Sequence, residues 1–593
     1  MSMPPDYYHV NQLVVCHSSE RKINLEAMER DLLSVSRDKI CFPRSSYCMR
    51  RRAMQRKMGS CFVVALAFML ATTWAGSALG APGIPVTSDL VLKKCTDCHK
   101  NNGGLVSRIS YLRQAPEAWE ETLWRHKRIH DLSITKEEKE ALLLYFSDKQ
   151  GLAPAEVAPY AYTLEKRDTK EKVDSQVIVD ICVRCHSYAK TALQRRTPEE
   201  WRKLANMHAG ILPMWLYQLQ DVADWDETLA AALKELAKRF PLETPEWKQW
   251  VSARPKIAEG MWVVSGYQAG KGVYGGEITL KKTGDAFYSY AGTVEFESGE
   301  KQPIEGKATL YGGYAWRASG TLAGKPIREV FHISMDGSTF KGVRFDDPHF
   351  ELRGVETRAF AGSYPRILSV IPKALKAGTK GATVTVVGTG LSKEVSLGDG
   401  VTVKKVDSVS PTKVVVTVDV ADKATAGFRN VKAGAASADG HGRPGAEAGK
   451  LFAVYTAVDY IKVVPSPAMS RTGGLGFAVK QLVQFDAIAC SKGADGAAGT
   501  GDDIEIGRVP AAWNVVELAS SNEDHDVEFV GKIDRNGLFT PGDEGPNPKR
   551  LMQENNMGDV WVTASYAAPG GGTLSARGYL LATIPLYIQR PVQ

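Results

Sequence analysis

The sequence predicts a helical domain followed by three β domains. Two patterns in the 593 residues support this fold class. Residues 86–250 contain helix-capping sequences and apolar residues that recur at helical spacing. From about residue 255, apolar and polar residues alternate and glycine-containing turns recur, as expected for antiparallel sheets. This strand-rich pattern continues to the end of the chain, which favours a succession of β domains after the helical one.

Three segments of the first domain have the sequence features of helices. TPEEWRKLANMH begins with Thr197 as a candidate N-cap, and Glu200 completes the capping-box pattern three residues later. SITKEEKEALLLYF begins similarly, with Ser133 or Thr135 as the cap. A third predicted helix, at 226–240, has an apolar face formed by Leu229, Leu233, Leu236 and Phe240.

The β segments follow in order along the chain. Alternation is clearest at 276–322, which we assign to the first β domain. ATVTVVGTGL (382–391) and KVVVTVDV (413–420) predict strands of the second, and DVWVTASYA (559–567) a strand of the third. The predicted boundaries are 86–252 for the helical domain and 255–362, 363–456 and 457–593 for the β domains.

The N-terminal region reads as an export signal. Residues 54–81 have a basic start, an apolar core and small residues at the end, so we expect cleavage near 78–81 and a periplasmic protein. The apolar run is short for a membrane span, so no stable span is expected after cleavage, although an uncleaved anchor is the alternative. Because signals stand at the N-terminus, residues 1–53 are either an artefact of start-site choice or a cytoplasmic extension.

Charge and cysteine content exclude two classes of protein. The formal charge of +7 is small for the length, and its densest cluster (49–57) lies beside the export signal, so nucleic-acid binding is not indicated. Of nine cysteines, five remain after the leader, and only Cys490 lies outside two C-x-x-C-H motifs. A disulfide framework is therefore not available unless those motifs are broken.

The two C-x-x-C-H motifs, CTDCH (95–99) and CVRCH (182–186), predict two covalently attached c-type haems. A zinc site would need two more matched ligands, and a thioredoxin-like pair would need a βαβ context. Chance predicts on the order of 0.003 copies at this composition. The thiols predicted to bind the haem vinyl groups are Cys95, Cys98, Cys182 and Cys185, and the predicted proximal iron ligands are His99 and His186.

An internal repeat suggests the distal ligands. After each motif a helix start is followed by Trp and, seven residues later, by His: Trp119 and His126 in the first repeat, Trp201 and His208 in the second. We therefore predict His126 and His208 as distal ligands. His130 is an alternative in the first repeat, and Met207, the chief rival, and Met214 are alternatives in the second.

Other candidate sites are weaker. Asp495, Asp502 and Asp503 lie in a glycine-rich loop that could hold calcium, but their spacing is not that of an EF-hand, and a solvated loop is favoured. No nucleophile-elbow, Walker or dinucleotide motif occurs, and nothing in the β domains indicates catalysis.

Taken together, these residues resemble the large dihaem subunit of quinohemoprotein amine dehydrogenase. The resemblance covers nearly all of 86–593 and is most specific, beyond the haem motifs, at W-x-x-L-A-N-M-H-x-G (201–210). The segments YPRILSVIPKAL and VTVVGTGL also resemble the first strands of an immunoglobulin-like domain of that family. The resemblance implies a helical dihaem cytochrome c domain, a β-barrel and two immunoglobulin-like β-sandwich domains.

The resemblance also implies a reaction. Such an enzyme oxidises primary amines to aldehyde and ammonia on a cysteine tryptophylquinone cofactor, which resides in a separate small subunit held with a β-propeller subunit. This chain would carry electrons through its two haems to a soluble cytochrome c or copper protein. The family has one bis-His and one His/Met haem, whereas the first repeat here has His126 and no Met at that position.

Three other functions fit part of the sequence. A stand-alone periplasmic dihaem carrier with partner-binding β domains is the main alternative. A dihaem peroxidase would need an open iron position, against which the many His and Met candidates argue. An adhesion protein built of β-sandwiches would leave the haem motifs unexplained.

Overall fold

The structure is a computed structural model that describes residues 83–167, 169–434, 446–474, 479–518, 524–550 and 555–584. The predicted segments 1–53 and 54–81 lie outside the described residues. Within these ranges no helix is both long and apolar enough to cross a bilayer. The predicted order is confirmed, because helices come first and β-strands dominate the described residues after them.

Short helices occupy the first part of the chain and are joined by small strand pairs. Thr135 is the N-cap of the third helix and forms the full capping box with Glu138. Thr197 caps the eighth helix by accepting from the Glu200 N–H, but the Glu200 carboxylate pairs with cations instead of closing the predicted box. The helices are α1 (Asp89–Cys95), α2 (Pro116–Ile129), α3 (Lys136–Lys149), α4 (Pro154–Val157), α5 (Ala161–Leu164), α6 (Gln176–Cys182), α7 (Tyr188–Ala192), α8 (Pro198–Ile211), α9 (Trp225–Arg239) and α10 (Pro245–Ser252), with 3₁₀ turns at Ala158–Tyr160 and Pro213–Gln220.

Four short strands belong to this helical region. They are β1 (Asn101–Asn102), β2 (Leu105–Val106), β3 (Leu112–Gln114) and β4 (Gln194–Arg196). The pair β3–β4 is antiparallel and places Arg113 opposite Arg195. β3 directly precedes α2, and β4 directly precedes α8. The pairing of β3 with β4 therefore joins the two sequence repeats at the starts of these equivalent helices.

Eight antiparallel strands then close into a barrel, in which β12 pairs with β5. Alternate side chains fill its interior with large aromatic residues such as Trp262, Trp316 and Phe340. The strands are β5 (Gly260–Gln268), β6 (Gly272–Lys282), β7 (Phe287–Phe296), β8 (Lys301–Tyr311), β9 (Ala315–Leu322), β10 (Lys325–Ile333), β11 (Thr339–Asp346) and β12 (Arg353–Phe360).

Two further hydrophobic cores come after the barrel. The first lies between the sheets β13-β15-β18-β17 and β14-β20-β19-β16. Its strands are β13 (Arg366–Ile371), β14 (Ala374–Lys376), β15 (Ala382–Thr389), β16 (Val395–Ser396), β17 (Val401–Val409), β18 (Lys413–Val420), β19 (Gly427–Ala433) and β20 (Glu447–Tyr455).

The last core is built from three sheets, β21-β24-β25, β22-β30-β29-β26 and β23-β28-β27. The strands are β21 (Tyr460–Val464), β22 (Ala468–Arg471), β23 (Val483–Gln484), β24 (Asp486–Ser491), β25 (Ile504–Val509), β26 (Ala512–Glu517), β27 (Gly531–Ile533), β28 (Leu538–Pro541), β29 (Gly558–Ala567) and β30 (Thr573–Thr583), with a 3₁₀ turn at Asp526–Glu528. The outlying Cys490 is fully buried in β24.

The helical region and the barrel share one hydrophobic core. Trp247 and Trp250 of α10 pack into the same cluster as the barrel aromatics. The Trp250 indole N–H donates to the Gly312 carbonyl at 3.0 Å, and Arg317 of β9 pairs with Glu117 at the start of α2. The barrel therefore anchors the helices that carry the candidate site.

A buried histidine at this junction leads to a pH prediction. The His332 ring stacks on Tyr314 at 6.1 Å, and its Nδ1 lies 3.8 Å from Oε1 of Glu165, but burial, with Arg317 and Arg167 nearby, outweighs that carboxylate and lowers the pKa of His332 well below 6.5. The unfolded chain therefore takes up a proton below pH 6.5 that the folded protein does not, so the free energy of unfolding should fall with decreasing pH by up to about 1.4 kcal/mol per pH unit from this residue.

The measurement is thermal unfolding between pH 7.5 and pH 5, conditions we choose to bracket the ordinary histidine pKa. His332→Phe keeps an aromatic ring against Tyr314 and should flatten the pH dependence. An equal slope in both proteins would contradict the assignment to His332.

Candidate haem-attachment sites

The two C-x-x-C-H motifs are built in the same way. Ser88 caps α1, which ends at Cys95, and Ser175 caps α6, which ends at Cys182. In each helix the serine hydroxyl accepts a hydrogen bond from the backbone N–H of the residue three positions later. Each helix is seven residues long, and its last residue is the first cysteine of the motif. The first motif then turns back on itself, because the His99 N–H donates to the Cys95 carbonyl at 2.9 Å.

The four motif thiols differ in exposure within each pair. Cys95 and Cys182 are partly buried, whereas Cys98 and Cys185 are exposed. Burial raises the pKa of Cys95 to about 11 and that of Cys182 to about 12, so these two groups stay protonated at neutral pH. A thioether has no ionisable proton, so burying its sulfur atom carries no charge penalty.

Hydrogen bonds hold the candidate histidines in a common tautomer. Nδ1 of His126 lies 2.8 Å from the Thr122 carbonyl, Nδ1 of His208 lies 2.9 Å from the Leu204 carbonyl, and Nδ1 of His186 lies 2.9 Å from the Ser187 carbonyl. Since a carbonyl only accepts, Nδ1 carries the proton and Nε2 keeps its lone pair. This is the arrangement found when Nε2 binds a metal.

Burial keeps these imidazoles neutral. It is the main cause that lowers the pKa of His99, His126 and His208, and it lowers the pKa of His186 to about 4. His99 is also hydrogen-bonded to the backbone of Ser107. A neutral imidazole is the form that binds iron, so the donor set fits haem ligation.

The first repeat brings two of the predicted residues together. The rings of His99 and His126 have centroids 6.0 Å apart and are tilted by 36°. Two imidazoles on opposite sides of one metal ion have centroids about 6 Å apart, because a metal–nitrogen bond is about 2 Å long and each centroid lies about 1 Å further back. His130 is exposed and its ring is 5.2 Å from that of His126.

The helices α2 and α8 show that the sequence repeat is structural. Trp119 and Trp201 are buried and lie two turns before His126 and His208. The Trp119 indole N–H donates to the carbonyl of Gln150, the C-cap of α3, at 3.1 Å. The Trp201 indole N–H likewise donates to the carbonyl of Phe240, the C-cap of α9, at 3.3 Å.

The second site is arranged differently around its distal candidates. His208 lies 5.8 Å from Trp215 between ring centroids and is close enough to His186 to contribute to the lowering of its pKa. Met207 is partly exposed on the same helix. The side chain of Met214 lies outside the described residues.

Buried ion pairs that sequence reasoning missed connect the two repeats. Glu156 of α4 accepts from Arg113 at 3.0 Å and from Arg195 at 2.9 Å, and all three side chains are buried. Glu200 of α8, also buried, pairs at 3.1 Å with Arg108, which follows Ser107. Arg113 and Arg195 are 82 residues apart, as are Trp119 and Trp201, so the sequence repeat could have indicated that the two arginines occupy equivalent positions. The residues around Glu156 contain no pattern that predicts its role.

The aspartates proposed for calcium hold their own loop together. Asp503 accepts from the N–H groups of Gly499 and Thr500 and from the Tyr460 hydroxyl, and Asp502 accepts from the Thr500 hydroxyl at 2.8 Å. Among the described residues no group of three or more His, Cys, Asp or Glu side chains converges as a metal site.

Family models match most of residues 86–592. Residues 86–247 match the haem-binding domain of the quinohemoprotein amine dehydrogenase alpha subunit. Residues 255–360, 364–440 and 461–592 match domains II, III and IV of the same subunit. These matches define a haem-binding subunit of an oxidoreductase complex. The chain belongs to the quinohemoprotein amine dehydrogenase alpha-subunit family.

Other comparisons add little to this assignment. No curated protein matches the chain. A redesigned β-barrel, mFAP1, is 12% identical with a TM-score of 0.16 and covers 18% of this chain and 96% of its own. Mouse cadherin-23 EC22-24 is 14% identical with a TM-score of 0.13, covering 42% and 74%, and a Bacteroides ovatus glucan-utilisation protein, SGBP-B, is 9% identical with a TM-score of 0.17, covering 55% and 60%. TM-scores this low support no inference.

Proposed function

We propose that this chain is the dihaem electron-transfer subunit of a periplasmic amine dehydrogenase. The observation that carries the proposal is the repeated arrangement of a capped helix ending in the first motif cysteine and a second helix presenting a histidine whose Nδ1 is bonded to a backbone carbonyl, so that Nε2 keeps its lone pair. In the first repeat, that histidine faces the motif histidine at a distance suited to one intervening iron. Family membership supplies the haem-binding assignment.

Each residue would have a defined role. The thiols of Cys95, Cys98, Cys182 and Cys185 would attach the two haems, His99 and His186 would bind iron on the proximal side, and His126 and His208 on the distal side. Haem supplies one-electron transfer between the ferric and ferrous states. The protein would contribute neutral imidazoles of fixed orientation and a buried environment that limits reorganisation of the surroundings.

The complex and its reaction belong to the same proposal. Primary amines would be oxidised to aldehyde and ammonia at a cysteine tryptophylquinone on a small partner subunit, held with a β-propeller subunit. Electrons would leave through this chain to a soluble cytochrome c or copper protein. The two β domains after the barrel, one built from two sheets and the other from three, would be immunoglobulin-like sandwiches.

The test is an anaerobic absorption spectrum of the native protein purified from periplasm, before and after a primary amine is added. We expect the haem c bands to become reduced and small partner chains to co-purify. A dithionite-reducible chain that purifies alone and that no amine reduces would favour the stand-alone carrier instead. Absence of covalently bound haem would overturn both functions.

The rival distal ligand in the second repeat gives a separate prediction. Met207→Leu should leave the spectrum and both reduction potentials unchanged, because the bond from Nδ1 of His208 to the Leu204 carbonyl leaves the lone pair of the imidazole on Nε2. His208→Met is the matched variant and should add the near-infrared band of methionine ligation. If instead the native protein has that band and Met207→Leu removes it, Met207 is the ligand.

A further inference from the structure

One peptide group next to the second motif has a partner at each end. The carbonyl of Ser187 accepts from Nδ1 of His186 at 2.9 Å. The N–H of the same peptide group, which belongs to Tyr188, donates to Oε2 of Glu171 at 2.7 Å. The imidazole, the peptide and the carboxylate thus form one continuous hydrogen-bonded chain.

Other donors fix the carboxylate in place. Oε1 of Glu171 accepts from the Tyr162 hydroxyl at 2.5 Å and from the Ala189 N–H at 3.1 Å. Glu171 comes from the segment between α5 and α6 and is half-buried, and its partners Tyr188 and Ala189 come from α7, after the motif. Its geometry is therefore set by tertiary contacts from both sides of the second motif.

We propose that Glu171 is a positioning residue for the second haem, acting on His186 through the Ser187–Tyr188 peptide group. This inference rests on the proposed function, because it requires iron on Nε2 of His186. Hydrogen bonds in a chain polarise one another, and a carboxylate bonded behind a metal-bound histidine fixes the ring and raises its basicity. Here the peptide transmits that effect, so Glu171 would stabilise the ferric state and lower the reduction potential of the second haem.

The first motif has a different environment at the matching place. His99 is bonded to the backbone of Ser107, and the nearby charges that act on it include those of Arg108 and of Glu200, which pairs with Arg108 at 3.1 Å. The opposite charges of Arg108 and Glu200 offset one another at His99, whereas Glu171 is bonded to the backbone that follows the second motif. The proposal therefore predicts that loss of Glu171 affects the second haem selectively.

The test is a spectroelectrochemical titration of the haem-loaded full chain carrying Glu171→Gln. The midpoint of the second haem should rise, with the ferric-to-ferrous ratio at a fixed potential falling about tenfold, equivalent to about 59 mV for one electron. The first haem should keep its midpoint. The chain with Cys95→Ala and Cys98→Ala, which has only the second attachment motif, identifies which midpoint belongs to which haem.

Two further variants complete the design. Glu199→Gln removes a negative charge from the same repeat, but Glu199 is exposed and bonds only to side chains, so neither midpoint should move. Tyr162→Phe leaves the charge and both N–H bonds in place and removes one competing donor, so the second midpoint should shift slightly downwards.

The outcomes separate the two proposals. If Glu171→Gln lowers the unfolding temperature or the haem content while the midpoint of the remaining second haem stays unchanged, Glu171 is structural only and this inference is wrong. An equal shift in Glu199→Gln would also overturn it, because general charge loss would then suffice. If the unsubstituted chain contains no covalent haem, it is the proposed function that fails.

Discussion

Replacing His126 with methionine should raise the reduction potential of the haem proposed at the first motif by on the order of 0.1 V, within the roughly 0.8 V range that axial ligands span. His126 lies two turns after the buried Trp119, and its ring faces His99 at 6.0 Å. A thioether at this position is a weaker donor to ferric iron than an imidazole, so the ferrous state gains relative stability. Redox titration of the haem-loaded chain measures the shift, and a new near-infrared band would report the methionine ligand.

His130→Met is the matched control. His130 lies one turn further along, is exposed, and its ring is 5.2 Å from that of His126. We expect no change of midpoint or spectrum from this variant. The opposite pattern, with a shift in His130→Met and none in His126→Met, would move the distal ligand to His130.

Replacing Glu356 with glutamine should lower the stability of the barrel by about 3–5 kcal/mol, the usual effect of removing one partner from a buried ion pair. Glu356 accepts from Arg344 at 2.8 Å, from Arg358 at 2.5 Å and from the Tyr274 hydroxyl at 2.6 Å, and all four residues are buried. Burial opposes its charge, but Arg358 and Arg344 outweigh this and hold its pKa below the usual range. Neutralising Glu356 leaves the buried guanidinium groups of Arg344 and Arg358 with a single carboxylate, that of Glu329, which pairs with Arg358.

Amide hydrogen exchange in β10–β12 measures this change as the free energy of opening. Glu305→Gln is the control, because Glu305 is exposed on β8 of the same barrel and should change stability by less than about 0.5 kcal/mol. Equal protection in Glu356→Gln and the unsubstituted protein would show that the barrel interior tolerates uncompensated charge. Because the pKa of Glu356 is lowered in the folded protein, its contribution to the free energy of unfolding should be lost as the pH falls through that lowered pKa.

Local chemistry was predictable from the sequence, whereas long-range closure was not. The Thr135 cap and the Trp-to-His spacing depend on residues within two helical turns, and both lie on helices as expected. The order of helices before strands followed from hydrophobic periodicity. The barrel closes where β12 pairs with β5, and the paired residues are up to about 98 positions apart in the sequence. Hydrophobic periodicity predicts where strands occur but not which strands pair.

The parts of the candidate site that were missed share one physical cause. Glu156, Glu171 and Glu200 each act on residues of another segment, and an isolated glutamate in a sequence is most simply a solvated charge. Glu200 also matched the capping-box pattern, but a buried carboxylate near Arg108 and Lys203 is better compensated by cations than by one backbone N–H. The ligand roles of His126 and His208 stay predictions until the haem-loaded protein is measured.

The core shared by α10 and the barrel has a practical consequence for attempts to obtain the cytochrome part alone. A fragment ending near residue 252 would lose the Gly312 carbonyl that receives the Trp250 indole and the Arg317 partner of Glu117. Trp250, which is fully buried and packs edge-on against Tyr314, would then lose that cover. A minimal haem-carrying fragment should therefore extend through β12, and a shorter one is expected to aggregate or to mature with little haem.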